Sequence, residues 1–336
     1  MSNQLSSSVH GKVVFLTGGT GSFGKRFTKY VIEHSDIKEL IIYSRDELKQ
    51  FEMQQWATSP KIKFVIGDVR DFNRLKTSMQ GVDIVIHAAA MKQVPASENN
   101  PIEAIRTNID GAANVINAAI ENKVSKVIAL STDKACNPAN LYGATKLCSD
   151  KLFIAANGLV KDRATKFGVV RYGNVIGSRG SIIPFFNKIK HTGRVPITDD
   201  RMTRFMITLT QGVQFVLNAL NTMDGGELFV PKIPTMKLME IKKAVAPECE
   251  VDIIGIRPGE KVHEAMIGPD DAMNTVEFPH QYVIMPQMKW WDSIAYMKKN
   301  NCKLVPDGFC YDSSQNNKVL SAEELQTILK EETIEY

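Results

Sequence analysis

The segment Ser131-Thr-Asp-Lys-Ala-Cys-Asn-Pro-Ala-Asn-Leu-Tyr-Gly-Ala-Thr-Lys146 gathers three Ser/Thr hydroxyls, an acid, a tyrosine and two lysines. Tyr142 and Lys146 are spaced i and i+4, so a helix sets them on one face. A phenol titrating near pH ~10 is a poor base at neutral pH. An ammonium beside it stabilises the phenolate. Such a pair can take the proton of an alcohol while hydride leaves the same carbon. Thr132 is placed to hold that alcohol in line if it closes a strand ahead of the helix. A Tyr/Lys pair alone is ordinary on a helix surface; the hydroxyl residue before it turns the balance toward chemistry. Asp133 and Lys134 are left over, and the hydride needs an acceptor.

The flanking pattern supplies the scaffold. Short apolar runs at Lys12–Thr17, Leu40–Ser44, Lys63–Ile66, Asp83–His87, Lys126–Ser131 and Phe167–Arg171 predict strands. Helical spacing alternates with them, clearest over Phe23–Ile32, Ala104–Ile120 and Tyr142–Ala156. That alternation predicts an α/β fold, a Rossmann-type doubly wound parallel sheet with a smaller C-terminal lobe. Past Gly173 the regularity loosens. Two short helices are expected within 180–230, strands at Leu228–Val230 and Val251–Ile256, and helices at Met236–Val245 and Ser321–Lys330. Arg257–Lys261 reads as a loop entering a helix. The expected division is 1–173 for dinucleotide binding and catalysis, and 174–336 mainly for substrate. Some of the later segments should return to the sheet, and the tail should dock. Residues 1–10, MSNQLSSSVH, read as a loose arm rather than a signal peptide.

The first strand runs into Thr17-Gly-Gly-Thr-Gly-Ser-Phe-Gly24. Gly18, Gly21 and Gly24 let the backbone turn tightly and approach a pyrophosphate, with Thr20, Ser22 and Phe23 completing the loop. The next helix offers its free N–H groups and positive dipole end to that anion. A nicotinamide dinucleotide is thus the hydride acceptor. At the end of the second strand NAD sites carry an acid for the ribose hydroxyls. Here stand Ser44, Arg45 and Asp46, with Lys49 a turn on. Arginine and serine suit a 2′-phosphate, so NADP is expected, while Asp46 keeps NAD open. Asp68 and Val69 should meet the adenine. Ala88 and Ala90, after His87, let the ribose and pyrophosphate lie close.

Composition excludes several classes. With 336 residues the chain can bury a substantial core. A net charge of +4 permits an anionic ligand without arguing for nucleic acid. No apolar run reaches the roughly 18 residues that a membrane span needs. Five cysteines without a CxxC pair fit a reduced, cytoplasmic setting. Six scattered histidines lack metal-ligand spacing, so no metal is expected. His87, at the end of a buried strand, reads as a packed, neutral histidine.

The motifs TGGTGSFG, HAAA, the Ser/Thr pair at 131–132 and YGATK resemble the extended short-chain dehydrogenase/reductase family. YSRDELKQ (43–50), GDVRD (67–71), AAMKQVP (89–95), STDKACNP (131–138), RYGNVIGSRGSIIPFF (171–186) and IRPGEKVHE (256–264) resemble a narrower group. That group is the UDP-N-acetylglucosamine 4,6-dehydratases that invert C5, lyases that open pseudaminic acid synthesis for flagellin glycosylation. The likeness runs over nearly the whole chain. It implies a UDP-GlcNAc substrate, C4 oxidation, loss of water across C5 and C6, and hydride return to C6. Wider relatives carry Thr-Asp-Glu where this chain has Thr132-Asp133-Lys134. In that chemistry Tyr142 serves the oxidation, with Lys146 and Thr132 in support. Asp133 is the acid for the C6 hydroxyl and Lys134 the base at C5. A free lysine, at about pKa 10.4, is protonated at pH 7. The oxidised nicotinamide, Lys146 and partial burial are expected to lower it. The resemblance puts Lys92, Asn174, Arg257 and Glu260 at the nucleotide sugar. Arg179 and Arg204 join them as cations in the half that must meet an anionic diphosphate.

In such families the helices at 104–120 and 142–156 pair across a two-fold axis, so a homo-oligomer is expected, as a dimer or a hexamer. Two other readings stay open. A UDP-sugar 4-epimerase or simple reductase needs Tyr142 and Lys146 but gives Asp133-Lys134 no task. A dinucleotide-binding regulator would leave the whole catalytic set idle. A related dehydratase of capsule or O-antigen synthesis would share every motif above.

Overall fold

The computed structural model describes residues 6–160 and 164–332. Its centre is a ten-stranded sheet. Seven strands are parallel: β1 (Val13–Thr17), β2 (Glu39–Ser44), β3 (Ile62–Ile66), β4 (Ile84–His87), β5 (Lys126–Thr132), β6 (Lys166–Tyr172) and the strand Leu228–Pro231. They lie in the order β3-β2-β1-β4-β5-β6, with Leu228–Pro231 beside β6. Between β1 and β4 the winding reverses, and in open sheets that crevice is where ligands bind. β1 is buried at every residue, as is β4, which explains continuous apolar runs rather than alternation. Three antiparallel strands, Gln281–Ile284, Thr275–Glu277 and Lys303–Leu304, extend the far edge.

Phe15, Leu16, Phe27, Ile42, Ile86, Ile128, Phe153 and Phe167 belong to the main core. A second apolar cluster, drawn wholly from residues past Gly173, includes Ile183, Phe186, Val195, Met206, Met236, Ile241 and Leu325. It sits under the short strands Asn174–Val175, Thr203–Ile207 and Thr235–Lys237.

Four expectations are corrected. The alanine-rich stretch is not one regular helix: Pro101–Ile105 and Gly111–Glu121 are joined by a π-turn at Arg106–Asp110. Arg257–Lys261 leads to a strand, Ala265–Ile267, and not to a helix. Of the two helices within 180–230, Leu209–Thr222 is long, closed at its start by a Thr208/Gln211 capping box. Residues 1–5 of the expected arm lie outside the described residues. Ser6–Val9 forms a tight turn that buries Val9 completely.

Candidate active site

The glycine loop has the close approaches its spacing predicts. Gly18 sits at φ +66°, and a Cβ there would lie 2.8 Å from Ala89 N and 2.9 Å from the Ala88 carbonyl. The loop after β1 is thus pressed onto the Ala88–Ala90 end of β4. A Cβ on Gly24 would meet Gly19 O at 2.2 Å, so the helix Ser22–His34 can start only against bare backbone. Gly21 is its N-cap with no side-chain cap bond, which leaves the N–H groups of the first turn to an anion. Thr20 is buried in the loop, and Ser22 Oγ accepts the Arg179 N–H at 3.2 Å. Phe23 stacks on Phe27. This cradle fits a dinucleotide pyrophosphate.

At the end of β2 the side chains are already engaged. Ser44 is buried, and its Oγ accepts from Gln50 Nε2 at 3.0 Å. Arg45 lies 3.7 Å from Asp68, whose carboxylate also takes Arg70 at 2.7 Å. Asp46 caps the helix Glu47–Gln54 through Lys49 N–H and pairs with Lys49 Nζ at 2.7 Å. Val69 is buried. Arg45 and Lys49 each meet a carboxylate, so the corner has no surplus positive charge for a 2′-phosphate.

The reactive groups stand where β5 ends. Thr132 is its last residue, Asp133–Ala135 form a short 3₁₀ turn, and the helix Leu141–Ala156 follows. Asn140 caps that helix, accepting from Gly143 N–H at 2.8 Å, a contact that stabilises by about 1 kcal/mol. Its Nδ2 reaches Gly259 O at 2.8 Å, tying the Arg257–Glu260 turn to the helix that carries Tyr142 and Lys146. Thr132 Oγ1 donates to Asp133 Oδ1 at 2.9 Å and also lies against the Tyr142 phenol. Asp133 is fully buried; its Oδ1 also receives Lys134 Nζ at 3.0 Å, while Oδ2 has no hydrogen-bond partner among the described residues. A buried acceptor without a partner is costly.

Two electrostatic expectations are corrected. Burial pushes the Tyr142 phenol up to about 12, and the cation that most opposes this is Lys134, not Lys146. Lys134 itself is held above the ordinary lysine value: burial opposes the charge, but Asp133 and Glu264 outweigh it. Glu264 Oε1 lies 3.5 Å from Lys134 Nζ. Lys134 is therefore a charged ammonium between two buried carboxylates. Lys146 is nearly inaccessible and lowered by burial, with Asp150 opposing. His87 is fully buried, neutral and pushed down to about 3 by burial, with its Nδ1 2.9 Å from Thr17 Oγ1.

The residues assigned to substrate divide. Asn174 Oδ1 is buried without a hydrogen-bond partner among the described residues. Lys92 is exposed beyond β4. Arg257 and Glu260 pair through Arg257 Nε at 2.9 Å. Arg204 spends its guanidinium on the carbonyls of Thr203, Lys261 and Val262, so it braces the 261–264 loop rather than offering a free fork. Arg179 stands with Thr20, Ser22, Lys25 and Arg26 around a small cavity at the glycine loop.

Sequence reading missed four contributors. Asn108, in the π-turn, bonds both Met91 N and O, at 2.8 and 2.9 Å, and Thr145 Oγ1 at 3.0 Å. It ties the Lys92 segment to the Tyr142 helix, and π-turns recur at functional sites. Asp150 and Arg171 form a buried pair at 3.3 Å below Lys146, with Ser131 Oγ donating to Asp150 at 2.7 Å. Glu264 is the fourth. Among the described residues no group of three or more His, Cys, Asp or Glu is placed to hold a metal ion.

Fold and site together define a Rossmann-type enzyme of the extended short-chain dehydrogenase/reductase class. Residues 14–286 match the family described as polysaccharide biosynthesis protein. The chain is 55% identical to the UDP-N-acetylglucosamine 4,6-dehydratase (inverting) of Campylobacter jejuni subsp. jejuni serotype O:2, over 95% of this chain and 97% of that one. Among solved structures it is similar to Pen from Bacillus thuringiensis, with a TM-score of 0.87, 34% identity, and 96% and 99% of the two chains covered. The fold is shared with DesIV, the dTDP-glucose 4,6-dehydratase of Streptomyces venezuelae with NAD bound, at TM-score 0.67 and 20% identity, over 74% and 86% of the two chains. The chain belongs to the polysaccharide biosynthesis protein family, within its group of inverting UDP-N-acetylglucosamine 4,6-dehydratases. The expectation of NADP is corrected: the neighbour that carries a dinucleotide carries NAD, and the charge at Ser44–Lys49 is already neutralised within the chain.

Proposed function

We propose that this chain is an NAD-dependent lyase that converts UDP-GlcNAc to UDP-2-acetamido-2,6-dideoxy-β-L-arabino-hex-4-ulose. The observation that carries the reading is the Thr132-Asp133-Lys134 turn set against Tyr142. An oxidation needs only the tyrosine, lysine and threonine; the added acid and amine give the site a second reaction. Bound NAD would supply the hydride chemistry at C4 and C6. Tyr142 takes the O4 proton, with Thr132 holding O4 in line. Asp133 protonates the departing C6 hydroxyl, and its partnerless Oδ2 supports that role. Lys134 takes the C5 proton. Asn174, Arg257 and Glu260 hold the nucleotide sugar, with Lys92 at the mouth, and residues past Gly173 form the substrate lobe.

Among the described residues no helix is long and apolar enough to cross a membrane. Ile253, Ile254 and Ile256 stand exposed in one run, which supports a homo-oligomer; sedimentation reads its number. The deciding experiment follows UDP-GlcNAc in deuterated water by proton NMR. A 4-keto-6-deoxy sugar with deuterium at C5 and the L-arabino configuration supports the reading. A 4-epimer that retains its C6 hydroxyl overturns it.

A further inference from the structure

We propose that Glu264 is a positioning residue that holds a proton for Lys134, taking it across the 3.5 Å contact between Lys134 Nζ and Glu264 Oε1 so that a neutral amine faces C5. The inference rests on the reaction assigned above and answers the difficulty the site poses. A lysine clamped as an ammonium cannot accept a proton, yet the C5 proton must go to a base. In the transfer an N–H bond of Lys134 breaks and an O–H bond on Glu264 forms. The ion pair becomes an amine beside a carboxylic acid, and no electrons change hands. The amine then accepts the C5 proton as its C–H bond breaks. Return of the proton from Glu264 restores the pair once C5 is protonated again.

The geometry supports this. Glu264 is 3% exposed, and its Oε2 is buried without a hydrogen-bond partner among the described residues. Its backbone is fixed on both sides by Ser313: Glu264 N–H donates to Ser313 Oγ at 2.9 Å, and Ser313 N–H donates to Glu264 O at 2.8 Å. The charged groups around it are Lys134, Asp133, Arg204 and Lys261, the last 3.7 Å from Oε2, with the Tyr142 phenol next to Lys134. Burial raises the carboxyl above its ordinary value; Lys134 opposes, Asp133 adds to the rise, and Arg204 and Lys261 oppose. A carboxyl so placed takes a proton more readily than a solvated one. Asp133 is less suited to the task, since Thr132 already donates to the oxygen that faces Lys134.

The test is Glu264→Gln, which keeps the shape and cannot exchange a proton with the amine. Binding of NAD and UDP-GlcNAc should stay within about threefold. C4 oxidation, read as reduced-cofactor absorbance in a single turnover, should persist. Dehydration and deuterium entry at C5 should fall together by about 100-fold, the scale of one lost acid–base group. Glu264→Asp should restore part of the rate with a displaced acid limb in the pH profile. Dehydration within threefold of wild type, or equal loss of C4 oxidation and dehydration, overturns the inference. If the Gln variant does not fold, an Asp variant with an unchanged pH profile overturns it. Should the wild-type protein make no 4-keto-6-deoxy sugar, it is the assigned reaction that fails.

Discussion

Lys134→Met removes one charge and keeps most of the apolar stem, so it isolates what the ammonium does between Asp133 and Glu264. At 3.0 Å from Asp133 and an effective dielectric of ~20, Coulomb's law gives about 5 kcal/mol before desolvation. Breaking a buried pair from one side costs about 3–5 kcal/mol. Two features reduce that here. The Lys134 side chain is 23% exposed, and Lys261 and Arg204 remain beside Glu264. The expected loss is therefore about 2 kcal/mol at pH 7.5. Its pH dependence follows from Glu264. Without Lys134 its folded value rises further above the unfolded one, so the folded state binds a proton more tightly. The loss is then full above the folded value and shrinks as pH falls through it toward the unfolded value near ~4. Urea unfolding of wild type and variant at pH 5 and pH 7.5 reads both quantities. NAD binding should be intact and C5 deuterium exchange absent. A loss equal at the two pH values, or none at either, would refute the picture of a lysine held charged by two carboxylates.

Tyr142→Phe should lower C4 oxidation by about 10²–10⁴-fold, the range of a lost general base, with the UDP-GlcNAc KM changed little; single-turnover absorbance checks it. Gly24→Ala places a methyl 2.2 Å from Gly19 O, which costs about 1–3 kcal/mol and should weaken NAD at least about tenfold, read by fluorescence titration. Asp150→Asn takes the nearer counter-charge from Arg171, only 3% exposed, and leaves it the partly exposed Asp271 at 3.9 Å. It should cost about 3 kcal/mol and lower the thermal midpoint by several degrees.

What could be read from the sequence was whatever is local. The glycine spacing, the apolar runs and the i, i+4 pair depend on neighbours along the chain, and the strand ends fall within a residue or two of expectation. Asn108 was hidden inside an alanine-rich helical pattern; an asparagine amid such small apolar residues was the one available signal. The charge state of Lys134 could not be read in full, because Glu264, one of the two carboxylates that set it, lies 130 positions later. Glu264 lies in a quoted motif, IRPGEKVHE, yet an acid in a polar loop reads as solvated until the fold buries it. The charge of Arg204 is visible in sequence, but the loop carbonyls that occupy its guanidinium are not.

The two chemistries of the site are therefore assembled differently. Thr132, Tyr142 and Lys146 come from one strand end and the helix that follows it, so local folding alone sets the oxidation machinery. The dehydration machinery needs Glu264 brought against Asp133 and Lys134 from beyond residue 260. Lys261 Nζ, donating to Cys136 O at 2.7 Å, fastens that loop to the 3₁₀ turn. A change that loosens the fastening, and with it the 3.7 Å contact of Lys261 with Glu264, should uncouple them. Lys261→Met should let Glu264 recede from Lys134, so C4 oxidation continues while the oxidised sugar accumulates with its C6 hydroxyl in place. NMR of the early reaction mixture distinguishes that species from the 6-deoxy product. If Lys261→Met slows both steps alike, the two chemistries share one support and the separation argued here does not hold.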